Sequence, residues 1–122
     1  DARRAVEIGC TGVVVSNHGG RQLDGTGGTL DQLAEVVDEV GDEIDVLFDS
    51  GVQRGTHVLK ALSIGAKAVG IGRMYLYPLA ASGQEGVERA LGLMKEELER
   101  DMRLMGKTSI DQLSRDNIKF KK

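Results

Sequence analysis

The junction Ile8-Gly9-Cys10-Thr11-Gly12-Val13 returns as Ile64-Gly65-Ala66-Lys67-Ala68-Val69: an apolar helix end, a glycine, a small residue, then a strand. A chain that closes a helix and opens a strand in the same way twice is built from repeated units. Strands that alternate with helices of about ten residues pair in parallel, because the crossover between them is right-handed and covers the sheet. Three apolar runs qualify as strands: Gly12 to Ser16, Asp45 to Phe48 and Ala68 to Ile71. The β-branched run Val13-Val14-Val15, bounded by glycine, reads as buried.

Helices fill the spaces between them. Ala2 to Ile8 has helix-forming composition and Gly9 ends it. Leu30, Leu33, Val37 and Val40 share one face of a helix over Leu30 to Val40, stopped by Gly41. A third helix runs from Arg54 to Ile64, closed by Gly65; His57 within it has no partner motif and reads as a surface or half-buried residue. From Tyr75 the chain turns helical and stays so. Pro78 suits the first turn of a short helix over Leu79-Ala80-Ala81, ended by Gly83. From Gln84 to Met105, the residues Val87, Leu91, Met94, Leu98, Met102 and Met105 form one buried stripe, with Glu96, Glu97 and Glu99 beside Lys95 and Arg100 as a solvated face. A last short helix starts at Thr108-Ser109-Ile110-Asp111, capped by Thr108 or Ser109, and Lys119-Phe120-Lys121-Lys122 reads as a frayed end. Tyr75 and Tyr77 read as packing residues, and Cys10 as a small core residue at a helix-to-strand junction.

Composition narrows the function classes. The 122 residues suffice for one compact domain, and 40% apolar with 29% charged residues describes a globular chain without a run able to cross a bilayer. A net charge of −3 gives no pull toward nucleic acid or anionic lipid. The single cysteine forms no intrachain disulfide, which suits a reducing compartment and points to the cytoplasm. The opening Asp1-Ala2-Arg3-Arg4 is no signal peptide and reads as mid-helix, as if sequence precedes it.

The chemistry-bearing residues gather where strands end. Ser16-Asn17-His18-Gly19-Gly20-Arg21-Gln22-Leu23-Asp24 follows the first strand, at the C-terminal rim where parallel α/β folds place their sites. Histidine exchanges a proton near neutral pH, and the arginine three residues on offers a planar fork for a carboxylate or phosphate. On the residues alone a helix-entry loop is the other reading, with His18 capping a backbone group and Arg21 solvated. Asp49-Ser50-Gly51-Val52-Gln53-Arg54-Gly55 follows the second strand and Gly70-Ile71-Gly72-Arg73 the third. Glycines there allow close backbone approach to an anion, although glycines with a surface arginine also occur at strand ends without a ligand.

These three motifs, in this order, resemble those of the FMN-dependent α-hydroxy acid oxidases and dehydrogenases, the family of glycolate oxidase, lactate oxidase and mandelate dehydrogenase. The similarity continues through the tail from Leu104-Met105-Gly106 to Ile118. The resemblance implies an α/β fold: the last three βα units of a (β/α)8 TIM barrel followed by C-terminal helices. Residues 1–122 would then be the C-terminal part of a single FMN-binding domain with no internal boundary, about half the length of a complete barrel.

The implied reaction is oxidation of a small L-2-hydroxy acid to the 2-oxo acid, with FMN as cofactor. Carried over by motif, His18 is the active-site base and touches substrate, Arg21 holds the substrate carboxylate, and Ser16 touches the flavin ring. Asp49, Ser50, Gly51, Val52, Gln53, Gly72 and Arg73 grip the FMN, chiefly at its phosphate. One departure stands out: the family pattern Val-Arg-Arg-Gly is Val52-Gln53-Arg54-Gly55 here, so weaker FMN retention is expected. The family's lysine near the flavin, its substrate tyrosines and the aspartate that orients the histidine belong to parts of the fold preceding Asp1. The other reading is a non-catalytic phosphate-binding or assembly module that keeps only the last barrel units. Expected partners are a small 2-hydroxy acid, with no nucleic acid and no membrane segment. The barrel-facing sheet edge calls for a preceding segment or a homo-oligomer to cover it.

Overall fold

The computed structural model describes residues 1–119. Its elements run α1 (Ala2–Glu7), β1 (Gly12–Val15), a 3-10 turn (His18–Gly20), α2 (Thr29–Val40), β2 (Asp45–Phe48), α3 (Gly55–Ile64), β3 (Ala68–Val69) and α4 (Arg73–Leu104), then 3-10 turns at Ile110–Gln112 and Arg115–Asn117. The three strands form one parallel sheet in the order β1-β2-β3.

Register positions the site. Val15 lies opposite Phe48, and Phe48 opposite Val69, so all three strands end in one row. The loops that begin at Ser16, Asp49 and Gly70 therefore leave the sheet side by side. The same pairing puts Val13, Val15, Val46 and Phe48 on one face, since side chains alternate along a strand. That face is packed by α2 and α3 through Leu33, Val40, Ala61 and Ile64, with Val52 from the loop after β2. The opposite face carries Val14, 60% exposed. Arg115 ties the tail to this layer: its guanidinium donates to the carbonyls of Ile64 and Ala34, both at 3.2 Å, and meets Asp38 at 2.6 Å.

Several expectations are corrected. β3 covers only Ala68–Val69; the Gly70 N–H still bonds the Phe48 carbonyl at 2.8 Å, but Gly70 and Gly72 then bend the chain into the rim loop. α2 begins one residue earlier, at Thr29. Pro78 lies well inside α4, which starts at Arg73. The break at Gly83 is present, with Ser82 at φ −151° and Gly83 at φ 59°, ψ −140°, dividing α4 just before Gln84. Beyond it Ala90 and Met102 are buried, whereas Leu91 of the expected stripe is 45% exposed. Tyr75 and Tyr77 are 43% and 66% exposed and pack little. Cys10 is exposed too, in the short connection between α1 and the edge strand β1. Glu97 is not on a solvated face: its side chain is 14% exposed and reaches the start of α3. Ser109 precedes the 3-10 turn at Ile110–Gln112 without a side-chain cap bond, while the Thr108 N–H donates to Gln112 Oε1 at 2.9 Å. Of the expected frayed end, residues 120–122 lie outside the described residues.

Candidate active site

The loop after β1 is curled by three consecutive left-handed residues, His18 (φ 56°), Gly19 (φ 68°) and Gly20 (φ 73°). Side chains close the curl: Ser16 Oγ accepts the His18 N–H at 3.1 Å and Asn17 Oδ1 accepts the Gly19 N–H at 3.0 Å. Glycine adopts this backbone freely, but His18 does so at a cost on the order of 1 kcal/mol. Among the described residues one other non-glycine has positive φ, Ser50 at 77°, in the loop after β2. Both strained residues thus lie at the rim, facing each other across neighbouring loops.

Ser50 joins those loops. Its hydroxyl donates to Asp49 Oδ1 at 2.7 Å and accepts the N–H groups of Gly19 and Asn17 at 3.1 and 3.3 Å. Ser16 Oγ stands 3.5 Å away. From the third loop, Arg73 Nη2 donates to the Gly19 carbonyl at 3.4 Å. The result is a cavity of about 180 Å³ walled by His18 and Gly19, by residues 49–53, and by residues 70–73.

The donor set of this cavity fits a phosphate-bearing group. A Cβ built on Gly51 or Gly72 would meet nothing within 4 Å, so the backbone there is open to close approach. The N-terminus of the long helix α4, preceded by Gly72, faces it with its positive dipole end. Arg73 is the one guanidinium in the lining. Arg54 does not join it. The Arg54 guanidinium binds Glu97, with Nε 3.0 Å from Oε1, and Glu97 Oε2 accepts the Gly55 N–H at 2.7 Å. The hydrogen bond from Arg54, helped by the Gly55 N–H and working against partial desolvation, lowers the Glu97 pKa to about 2. The N-terminus of α3 is therefore already satisfied by a carboxylate of this chain, and an anion in the cavity would meet only the loops and α4.

The sequence-predicted residues fall into two groups. His18, Asp49, Ser50, Gly51, Val52, Gln53, Gly72 and Arg73 come together around the cavity. Val52 is there through its backbone only, since its side chain is 5% exposed in the core. The Gln53 N–H points to His57 Nδ1, 3.3 Å away, which gives the half-buried His57 a local partner. Ser16 and Arg21 stand apart. Ser16 lines a second hollow of about 370 Å³, which His18 also borders. Arg21 is exposed at the end of the 3-10 turn and lies outside both linings. Gly19 was expected as a glycine that lets the backbone turn tightly or lie close to a ligand, whereas Asn17 and Glu97 were missed by sequence reasoning. The Asn17-x-Gly19 spacing was a usable turn signal for Asn17. Nothing in the sequence singles out Glu97.

The chain is similar to known proteins over nearly its whole length. The family described as FMN-dependent dehydrogenase matches residues 1–120. An FMN-dependent alpha-hydroxy acid dehydrogenase of Penicillium citrinum is 51% identical over 116 residues, 95% of this chain and 29% of the relative. A peroxisomal (S)-2-hydroxyacid oxidase of Arabidopsis thaliana is 50% identical over 119 residues, 98% of this chain and 33% of the relative. A soluble mutant of the membrane-associated (S)-mandelate dehydrogenase from Pseudomonas putida superposes with a TM-score of 0.94 at 43% identity, covering 99% of this chain and 34% of that one. The chain spans about a third of the length of these relatives. With three rim loops in the expected order and nearly its whole length matched, the chain belongs to the FMN-dependent dehydrogenase family.

Proposed function

We propose that the protein to which this chain contributes oxidises a small L-2-hydroxy acid, of the lactate or glycolate kind, to the 2-oxo acid with FMN as electron acceptor. The observation that carries this reading is the shared wall: the His18–Gly19 turn closes the same cavity that the two glycine loops and Arg73 open toward an anion. A proton-transfer group beside a cavity suited to a phosphate supports a site in which a base and a redox cofactor's tail share one rim. In this reading FMN, when bound, supplies the two-electron acceptor. This chain supplies the base, the carboxylate fork and the phosphate loops. His18 is the base that takes a proton from the 2-hydroxy acid, whether the α-hydrogen leaves as hydride or as that proton, and the exposed Arg21 holds the carboxylate through its planar fork. Ser16 lies against the flavin ring, and the backbone of residues 49–53 with Gly72 and Arg73 holds the phosphate.

Such a site calls for the remaining strands of an eight-stranded barrel, of which these three βα units would be the last, within one continuous domain. The lone cysteine suits a cytoplasmic setting. A second reading, a phosphate-binding or assembly module without redox chemistry, draws on the commitment of Arg54 to Glu97, which leaves the cavity a single guanidinium. One experiment separates them. The full-length protein is expected to purify yellow, and its flavin absorbance to bleach under argon on addition of L-lactate or glycolate. A colourless protein, or a bound flavin that no 2-hydroxy acid reduces, would overturn the oxidase reading in favour of the module.

A further inference from the structure

Ser50 occupies a backbone conformation that favours glycine, yet every hydrogen-bonding capacity of its hydroxyl is used. It gives one hydrogen bond to Asp49 and receives two from backbone groups on another loop, those flanking His18 on either side. Gly19 is gripped at both ends of its residue, its N–H by Ser50 and its carbonyl by Arg73. A Cβ on Gly19 would sit 3.0 Å from Arg73 Nη2, so the grip is close. His18 itself is exposed and its ring makes no hydrogen bond among the described residues. What fixes the imidazole is therefore the turn beneath it, and that turn is fastened to the anion-binding loops.

We infer that Ser50 is a positioning residue for His18: its hydroxyl fastens the His18 turn to the loop after β2, so that the backbone cradling an anion and the backbone carrying the base move as one body. The positive φ at Ser50 follows from this task, because it turns the short side chain back across the rim toward Asn17 and Gly19. The activity part of the inference rests on the function proposed above; the structural part does not.

The test uses the full-length holoprotein with Ser50→Gly and Ser50→Ala. Glycine removes the hydroxyl and relieves the backbone, whereas alanine removes the hydroxyl and keeps a Cβ at positive φ. Hydrogen exchange of the Asn17 and Gly19 amides is expected to quicken about tenfold in both variants, while exchange in α2 is unchanged. kcat is expected to fall about tenfold in both, with KM for the 2-hydroxy acid within about threefold of the parent, as for a misoriented base. Unchanged exchange at Asn17 and Gly19 in Ser50→Gly would overturn the inference. So would full kcat in Ser50→Gly beside a loss in Ser50→Ala, which would assign the effect to backbone strain. If alanine prevents folding, Ser50→Gly decides alone. A protein that holds no flavin sinks the proposed function, and the exchange measurement still tests Ser50.

Discussion

Gln53 sets the charge of the anion cavity. It lines the cavity as a neutral amide, and the neighbouring Arg54 cannot substitute for a missing cation because its guanidinium is held by Glu97. Arg73 is left as the single guanidinium in the cavity's lining, and it also serves the Gly19 carbonyl. Replacing Gln53 by arginine in the full-length protein is expected to tighten FMN about tenfold, the worth of one added charge-assisted hydrogen bond. Fluorescence quenching of free FMN on titration with apoprotein measures it. An unchanged dissociation constant would mean that position 53 does not reach the phosphate. The departure at Gln53 was legible in the sequence because it lies inside a short motif. The fate of Arg54 was not, since its partner lies 43 residues away on another helix. Local order carries a motif's composition; which of its charges are free depends on packing between distant elements.

The ends of α3 and α4 show that dependence at the next scale. α3 starts against the middle of α4 so closely that a Cβ on Gly55 would lie 2.3 Å from the Met94 carbonyl oxygen. That approach brings the Glu97 carboxylate onto the Gly55 N–H and Arg54, where it caps the helix from outside its own segment. Because the folded pKa of Glu97 is lowered to about 2, its stabilisation is fully present above the ordinary carboxylate pKa of 4.5 and is lost as pH falls from there toward 2. Glu97→Gln removes this term. The melting temperature of the variant should fall below the parent's by a constant amount from pH 8 to pH 5, and the gap should close progressively toward pH 2. Thermal melts of both proteins across that range measure the gap, and a gap that stays open at pH 2 would contradict the assignment. Helices and strands themselves were legible: β2 falls at the expected residues, and the break at Gly83 follows from glycine's freedom at positive φ. The pairing of α3 with α4 leaves no periodic trace. Glu97 looks like its neighbours Glu96 and Glu99 until the packing singles it out.

At the scale of the whole molecule, one face of the sheet is covered and the other is not. α2 and α3 bury Val46, Phe48 and Leu33, while Val14 on the far side of β1 is 60% exposed. Leu76, Tyr77 and Leu79 along the first part of α4 are 48%, 66% and 45% exposed. Among the described residues β1 and β3 each have one edge without a strand partner. A parallel sheet normally has both faces covered, and an unpaired edge beside apolar side chains is a template for association. In a complete barrel those edges would pair with the neighbouring strands and Val14 would point into the barrel interior, as the resemblance implies. Residues 1–122 expressed alone are therefore expected to self-associate, and Val14→Lys, which sets a charge on the bare face beside the β1 edge, is expected to shift the population toward monomer. Sedimentation velocity over a range of loading concentrations distinguishes the outcomes. A parent chain that stays monomeric throughout would mean that these surfaces need no cover from further strands or from a partner copy.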